Sequence, residues 1–368
     1  MSTPTPVDDP RSGVGRTLVD HDAERLLADR GYVVVDLLDE ADIARLAEIA
    51  DRLLTHQRTG FHASNITGSA AYRTAVDREV RPIVEAAVVG AGLFVDHEAY
   101  TSSLLVKWPG EDSAFHTHQD WNMVAEDRYR TVNVWCPLVD TDEGNGALAV
   151  LPHSHRHLGA IRCSPVPPES HRSPGWDVTY DDMVKVPVRA GQAIVFDHAL
   201  LHSSPPNLTS VWRPAVAAAF KPRSARLLHW YLADRDAVDL EVFEIDSAFF
   251  TEFRIGDRPD YPVVASATFR SDDLTTRELM DRCGVPMPEP EPEVVEPVPA
   301  GPATAEDQAV EDAAPLDAAG ALGPAEIRAV DAAPSPVTFV PAYKRTRGWR
   351  LLRRLRARTA SRGAVRRG

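Results

Sequence analysis

Between about residues 95 and 221 this chain is cut into short apolar segments. SSLLVKW, TVNVWCPLV, ALAVL, MVKVPV, QAIVF and PAVAAAF follow one another, parted by Gly, Pro and Asn turns. Runs of this length rich in β-branched and aromatic residues read as strands. Many of them in succession, with no helices between, predict a sandwich or jelly roll rather than a doubly wound sheet. The Gly144-Asn145-Gly146 stretch reads as a hairpin turn, because Gly supplies the positive φ that such turns need. Upstream, DHDAERLLADR ends at Gly31 as a helix would, and YVVVDLL follows as a strand. Asp39 then caps a second helix, with Ile43, Leu46, Ala47, Ala50, Leu53 and Leu54 on one apolar face. A third helix is expected around Asp77 to Val89, and the helices should buttress the outside of a sheet.

Within this frame lie residues with a specific chemical use. His118 and Asp120 stand in FHTHQDW, and His202 and Arg213 in FDHALLHSSPPNLTSVWRPAVAAAF. In extended chain, side chains at i and i+2 project from one face, so His118 and Asp120 can meet one metal while Gln119 points away. A later His completes two imidazoles and a carboxylate, the ligand set of non-haem Fe(II) oxygenases, which leaves positions open for substrates. Such a centre keeps net positive charge and favours an anionic co-substrate. Arg213, eleven residues after His202, has the planar fork that binds a carboxylate through two parallel hydrogen bonds. His-x-Asp alone is a weak signal, and its weight comes from the distal His, the Arg and the strand-like flanks.

Other histidines compete. A His116/His118 pair would share a strand face but lack the carboxylate. His198 and His202 are spaced for a helix, but the flanking QAIVF argues against one there. His153, His155 and His157 read either as a polar turn or as a second metal site.

These residues carry a family resemblance. From about Gly31 to Phe220 the chain resembles the phytanoyl-CoA dioxygenase family of Fe(II)/2-oxoglutarate-dependent oxygenases, in GYVVVDLL, HQDW, GNGALAVLPHSHR and HSSPPN. The resemblance implies a double-stranded β-helix (jelly roll, cupin-like) core in which the first two ligands and the third come from opposite sheets. It implies His118, Asp120 and His202 as catalytic iron ligands and Arg213 as the clamp on the 2-oxoglutarate carboxylate. Ser204 matches the clamp's hydroxyl helper, and Gln119 and Trp135 match residues that line the co-substrate. The implied reaction takes Fe(II), 2-oxoglutarate and O2 and oxidises a C–H bond of a small molecule, with succinate and CO2 as co-products. Hydroxylation, desaturation and cyclisation all fit, whereas halogenation is disfavoured because related halogenases lack the carboxylate. One departure is His153 in PHSH, where the family usually has Gly. The family spans acyl-CoA thioesters, amino-acid-like osmolytes and natural-product intermediates. By position alone Trp121, Asn122, Arg128 and the 163–182 loop, either a lid or a surface insertion, are the specificity elements.

Composition bounds the rest. Cys136, Cys163 and Cys283 form no CxxC and imply no disulfide framework, which suits a reducing cytoplasm. The N-terminal segment has no apolar core of a signal peptide, and no apolar run spans a bilayer. From Lys344 onward there are eleven Lys or Arg and no acid, while the preceding residues carry 29 basic against 54 acidic side chains. So acidic a body is a poor nucleic-acid binder. The expected organisation is a flexible N-terminus over 1–19, an oxygenase domain over 20–285, a disordered Pro/Ala/Glu-rich linker over 286–342 and a basic amphipathic tail over 343–368. That tail could lie on an anionic membrane surface, making the protein peripheral, meet an acidic partner, or dock on the body. The alternative to an enzyme is a non-catalytic jelly-roll binding or scaffold protein acting through linker and tail.

Overall fold

The computed structural model describes residues 13–54, 58–66, 68–164, 178–233, 239–254, 256–270, 272 and 274–285. Helix α1 (His21–Arg30) opens with the Asp20 carboxylate accepting from the N–H groups of Asp22 and Ala23, and closes with Gly31 at φ 83°. A Cβ at Gly31 would fall 2.6 Å from Leu200 Cδ1 and 2.7 Å from His155 Nδ1, so only glycine fits this crossing. Strand β1 (Tyr32–Asp36), helix α2 (Glu40–Leu53), the short β2 (Phe61–Ala63) and helix α3 (Ala70–Gly90) follow. Helix α3 starts seven residues before the sequence suggested, because the Ser69 hydroxyl caps it by accepting from the Tyr72 N–H. Residues 17–19, expected in a flexible N-terminus, are packed instead: Thr17 and Leu18 are fully buried, and Val19 N–H donates to the Leu93 carbonyl.

The remaining strands are β3 (His97–Lys107), β4 (Phe115–His118), β5 (Val132–Pro137), β6 (Leu148–Val150), β7 (Val184–Val186), β8 (Gln192–Asp197), β9 (His202–Ser204), β10 (Arg213–Pro222), β11 (Leu228–Leu232), β12 (Asp239–Glu244) and β13 (Val263–Thr268). Helix α4 (Phe249–Glu252) precedes β13, and α5 (Thr276–Arg282) follows it. Among the described residues they form a six-stranded sheet in the order β1-β8-β5-β10-β3-β2, a four-stranded sheet β4-β9-β6-β7 and a three-stranded sheet β11-β12-β13. The architecture is mainly β with flanking helices, a double-stranded β-helix.

Alternation along the large sheet separates two layers. Val132, Val134, Cys136, Ala193, Val195, Val216 and Ala218 pack with Leu46, Ile49, Val76, Val80, Ile83 and Val84 of α2 and α3. The opposite face offers Trp135, Ile194, Phe196, Ala215 and Ala217 to Leu148, Val150 and Val186 of the small sheet. Period-two alternation thus builds both the helix-covered outer layer and the inter-sheet core. The Gly144–Gly146 turn is no hairpin: it joins β5 of the large sheet to β6 of the small one, and these strands do not pair.

Two irregularities aim side chains. Between β4 and β9 the register passes from Phe115↔Ser204 to His118↔His202, so β4 carries one extra residue just before His118. Between β10 and β3 it passes from Ala219↔Thr101 to Phe220↔Ala99, leaving Tyr100 as the bulged residue. Bulges re-aim side chains and recur beside active sites.

Candidate metal centre

His118 and His202 are Cα partners across β4 and β9. The expected placement on opposite sheets is therefore corrected: both imidazoles come from adjacent strands of the small sheet, their ring centroids 4.1 Å apart. Asp120 lies two residues past the end of β4, where its N–H donates to the His198 carbonyl at 2.9 Å. His118 Nε2 and Asp120 Oδ1 are 4.0 Å apart, and one donor atom from each of His118, Asp120 and His202 lies within 4.8 Å of the others. Among the described residues this is the one such group of three or more.

Local bonds prepare each donor. His118 Nδ1 is 2.9 Å from the His116 carbonyl, and His202 Nδ1 is 2.9 Å from the Leu200 carbonyl. A carbonyl only accepts, so each Nδ1 carries the hydrogen and each Nε2 is left as the ligand atom. Asn133 Nδ2 donates to Asp120 Oδ2 at 2.6 Å, and the buried Arg162 holds the Asp120 main-chain oxygen through Nε at 2.7 Å while forking onto Glu126. Two imidazoles of fixed tautomer and one oriented carboxylate fit a divalent first-row ion.

Arg213 opens β10 on the inward row with Ala215 and Ala217, its guanidinium 5.3 Å from the centre of the Trp135 ring. It is 2% exposed, and its Nε and Nη1 have no hydrogen-bond partner. Burial pushes it down to about 9, which leaves it charged at neutral pH. Lys107, its Cα partner on β3, is also wholly buried; its ammonium donates to the Ser113 carbonyl and reaches the Ser204 carbonyl at 3.4 Å. Burial first, and then Arg213, push this ammonium well below its ordinary value. A buried guanidinium with unused N–H groups, as at Arg213, is costly without an anion beside it. The fit to a dicarboxylate is good.

The other expected residues fall as follows. Ser204 is buried on β9, two positions from His202. Gln119 is buried, and its amide donates to the Ala199 carbonyl at 2.6 Å, tying the segment between His118 and Asp120 to the loop before His202. His116 packs 4.5 Å from the Phe115 ring. The later cluster is a turn: His153 Nδ1 bonds the Asp29 carbonyl and His155 Nε2 the Ala28 carbonyl, both on α1. His153 has φ 69°, so this residue adopts the left-handed backbone that Gly usually provides. Asn122 Oδ1 accepts from the Arg162 N–H at 2.7 Å, and Arg128 pairs with Asp127 at the surface. Residues 165–177 of the candidate lid lie outside the described residues, as do the linker and tail.

Sequence reasoning missed Lys107, Asn133 and Arg162. A signal existed for two of them: each is a polar residue at an inward position of an otherwise apolar strand, in SSLLVKW and TVNVWCPLV.

Residues 28–215 match the family model described as phytanoyl-CoA dioxygenase (PhyH). No curated protein matches the chain. Among solved structures it is similar to the non-heme alpha ketoglutarate dependent carbocyclase SnoK from nogalamycin biosynthesis, at 18% identity over 58% of this chain and 89% of that one, with a TM-score of 0.39. It is also similar to the epimerase SnoN in complex with Fe3+, alpha ketoglutarate and nogalamycin RO, at 22% identity over 56% and 86% (TM-score 0.40). A third is HygX from Streptomyces hygroscopicus with nickel and 2-oxoglutarate bound, at 14% identity over 56% and 88% (TM-score 0.39). All three likenesses are remote.

Proposed function

We propose that this chain, which belongs to the phytanoyl-CoA dioxygenase family, is an Fe(II)- and 2-oxoglutarate-dependent dioxygenase that oxidises a C–H bond of a small organic molecule. One oxygen atom of O2 enters succinate, with CO2 released; the other enters the substrate in hydroxylation, or leaves as water in desaturation or cyclisation. The observation that carries the reading is the pairing of two features. His118, Asp120 and His202 bring one donor each within 4.8 Å of the others, and Arg213 is buried with N–H groups that have no partner.

Bound iron would supply the activation of O2 and the oxidative decarboxylation; the chain's share is orientation and exclusion of water. His118, Asp120 and His202 would hold the ion. Their single carboxylate offsets one of its two charges, so the centre attracts an anionic keto acid. Arg213 would take the far carboxylate through its fork, stacked over Trp135, with Ser204 adding a hydroxyl. Lys107, the neighbour of Arg213 on β3, would add a hydrogen-bond donor. In a dry interior these charges act more strongly than in water.

The test is anaerobic Fe(II) titration with 2-oxoglutarate present. His118→Ala, Asp120→Ala and His202→Ala should each abolish tight binding, and unchanged iron stoichiometry in two of the three would sink the assignment. Arg213→Ala should keep iron while raising the KM for 2-oxoglutarate roughly 30- to 1000-fold, on the order of 2–4 kcal/mol. Values within threefold would remove Arg213 from the clamp. We place the protein in the cytoplasm. Among the described residues no helix is long and apolar enough to cross a membrane. A peripheral attachment through the basic tail would show as salt-sensitive binding to anionic vesicles.

A further inference from the structure

Beside Asp120 stands a group of buried polar atoms that the metal centre does not use. Tyr100 Oη, Trp121 Nε1, both ring nitrogens of His198 and His229 Nδ1 have no hydrogen-bond partner. Tyr100, His198 and His229 are 3%, 3% and 0% exposed. The rings form one connected wall: Tyr100 lies 6.4 Å from His198 and 5.0 Å from Phe250, and His229 lies 5.4 Å from Trp121, 4.7 Å from Phe249 and 5.2 Å from Phe253. Trp121 directly follows Asp120, and the His198 carbonyl accepts the Asp120 N–H. Tyr100 is there because of the bulge in β3, which brings its ring against Ala219 on the inward row of β10. A buried polar group without a partner is costly, so this many at one place call for something that bonds them.

We propose that this wall is the substrate-recognition surface and that it takes an uncharged, ring-bearing molecule carrying hydroxyl or carbonyl oxygens. The proposal rests on the metal-centre reading above, since it places the oxidised carbon next to Asp120. The orphaned set contains donors (Tyr100, Trp121) and imidazoles that both donate and accept, which matches hydroxyl and carbonyl groups. The surrounding Phe249, Phe250 and Phe253 match ring faces. Of the cations at the border, Arg162 is engaged with Glu126 and the Asp120 carbonyl and Arg73 with the carbonyls of Thr251, Phe253 and Gly68, while Arg254, whose charge reaches Arg73, is exposed and outside the buried wall. Burial holds His229 near 3, so it is neutral. A thioester bearing phosphates or a zwitterion would find no counter-charge on this wall.

The experiment uses the full chain with Fe(II) and 2-oxoglutarate under anaerobic conditions. Calorimetry compares 1,8-dihydroxyanthraquinone, palmitoyl-CoA and L-proline as probes. The anthraquinone should bind at least tenfold more tightly than the other two, and Tyr100→Phe should weaken it about 5- to 30-fold. The same variant should raise the Tm of the ligand-free protein, because it deletes an unpaired buried hydroxyl, whereas a merely structural hydroxyl would lower it. Tighter binding of palmitoyl-CoA or L-proline, an affinity unchanged by Tyr100→Phe, or a lowered Tm would each overturn the proposal. Titrating 2-oxoglutarate separately distinguishes the two failures. If it binds and the anthraquinone does not, the recognition wall falls and the metal centre stands; if only the anthraquinone binds, the metal-centre reading falls.

Discussion

Asn133 shows how much a single uncharged residue can do at this centre. Its amide donates to Asp120 Oδ2 at 2.6 Å from the inward face of β5, so it fixes which oxygen of the carboxylate turns toward the histidines. Hydrogen bonds to a carboxylate are stronger than neutral ones, and partners that orient metal ligands typically matter about 10- to 100-fold in affinity. Asn133→Ala should therefore weaken Fe(II) binding by that factor while leaving the Arg213 contacts intact. A Co(II)-substituted sample would report the altered ligand field directly. Affinity within threefold of the parent, with an unshifted cobalt spectrum, would mean that Asp120 needs no such orientation. Lys107 makes the complementary point: its inward position on the strand was legible, but not that it pairs in register with Arg213.

At the scale of elements, turns and bulges decide where side chains point. The turn at His153 keeps its left-handed conformation without glycine because the ring bonds the Asp29 carbonyl at 2.8 Å. For a residue with a Cβ that backbone costs roughly 1–2 kcal/mol. His153→Ala loses the ring contact and keeps the strain, whereas His153→Gly loses the contact and relieves the strain. The alanine variant should thus be less stable than the glycine variant by about 1 kcal/mol in urea midpoints. The reverse order would show that the turn is not strained. Strands and helices were legible because each carries its own periodicity and caps. The bulges at Tyr100 and before His118 were not, since one unpaired residue leaves no periodic trace.

For the molecule as a whole, buried histidines set a pH dependence. Burial pushes His229 down to about 3 and His97 down to about 4, so both are neutral in the fold and titrate near 6.5 when unfolded. Between these values the unfolded chain binds the protons, so stability is full above about pH 6.5 and falls as the pH drops toward 4 and then 3. The slope is up to about 1.4 kcal/mol per pH unit for each histidine. Urea midpoints between pH 7.5 and 4.5 should decline, and His229→Phe should flatten the decline; an identical slope in that variant would refute the account. The amino-acid sequence by itself determined the strand-rich class, the helix caps and which residue types could gather at the candidate metal centre, because residue type, period-two alternation and i, i+2 spacing are local properties. Only the tertiary structure decided that His118 and His202 face each other on neighbouring strands of one sheet, that Lys107 joins Arg213, and that unpaired polar groups gather beside Asp120. Those outcomes depend on which distant strands pair and in which register, and that is settled by the packing of the whole interior.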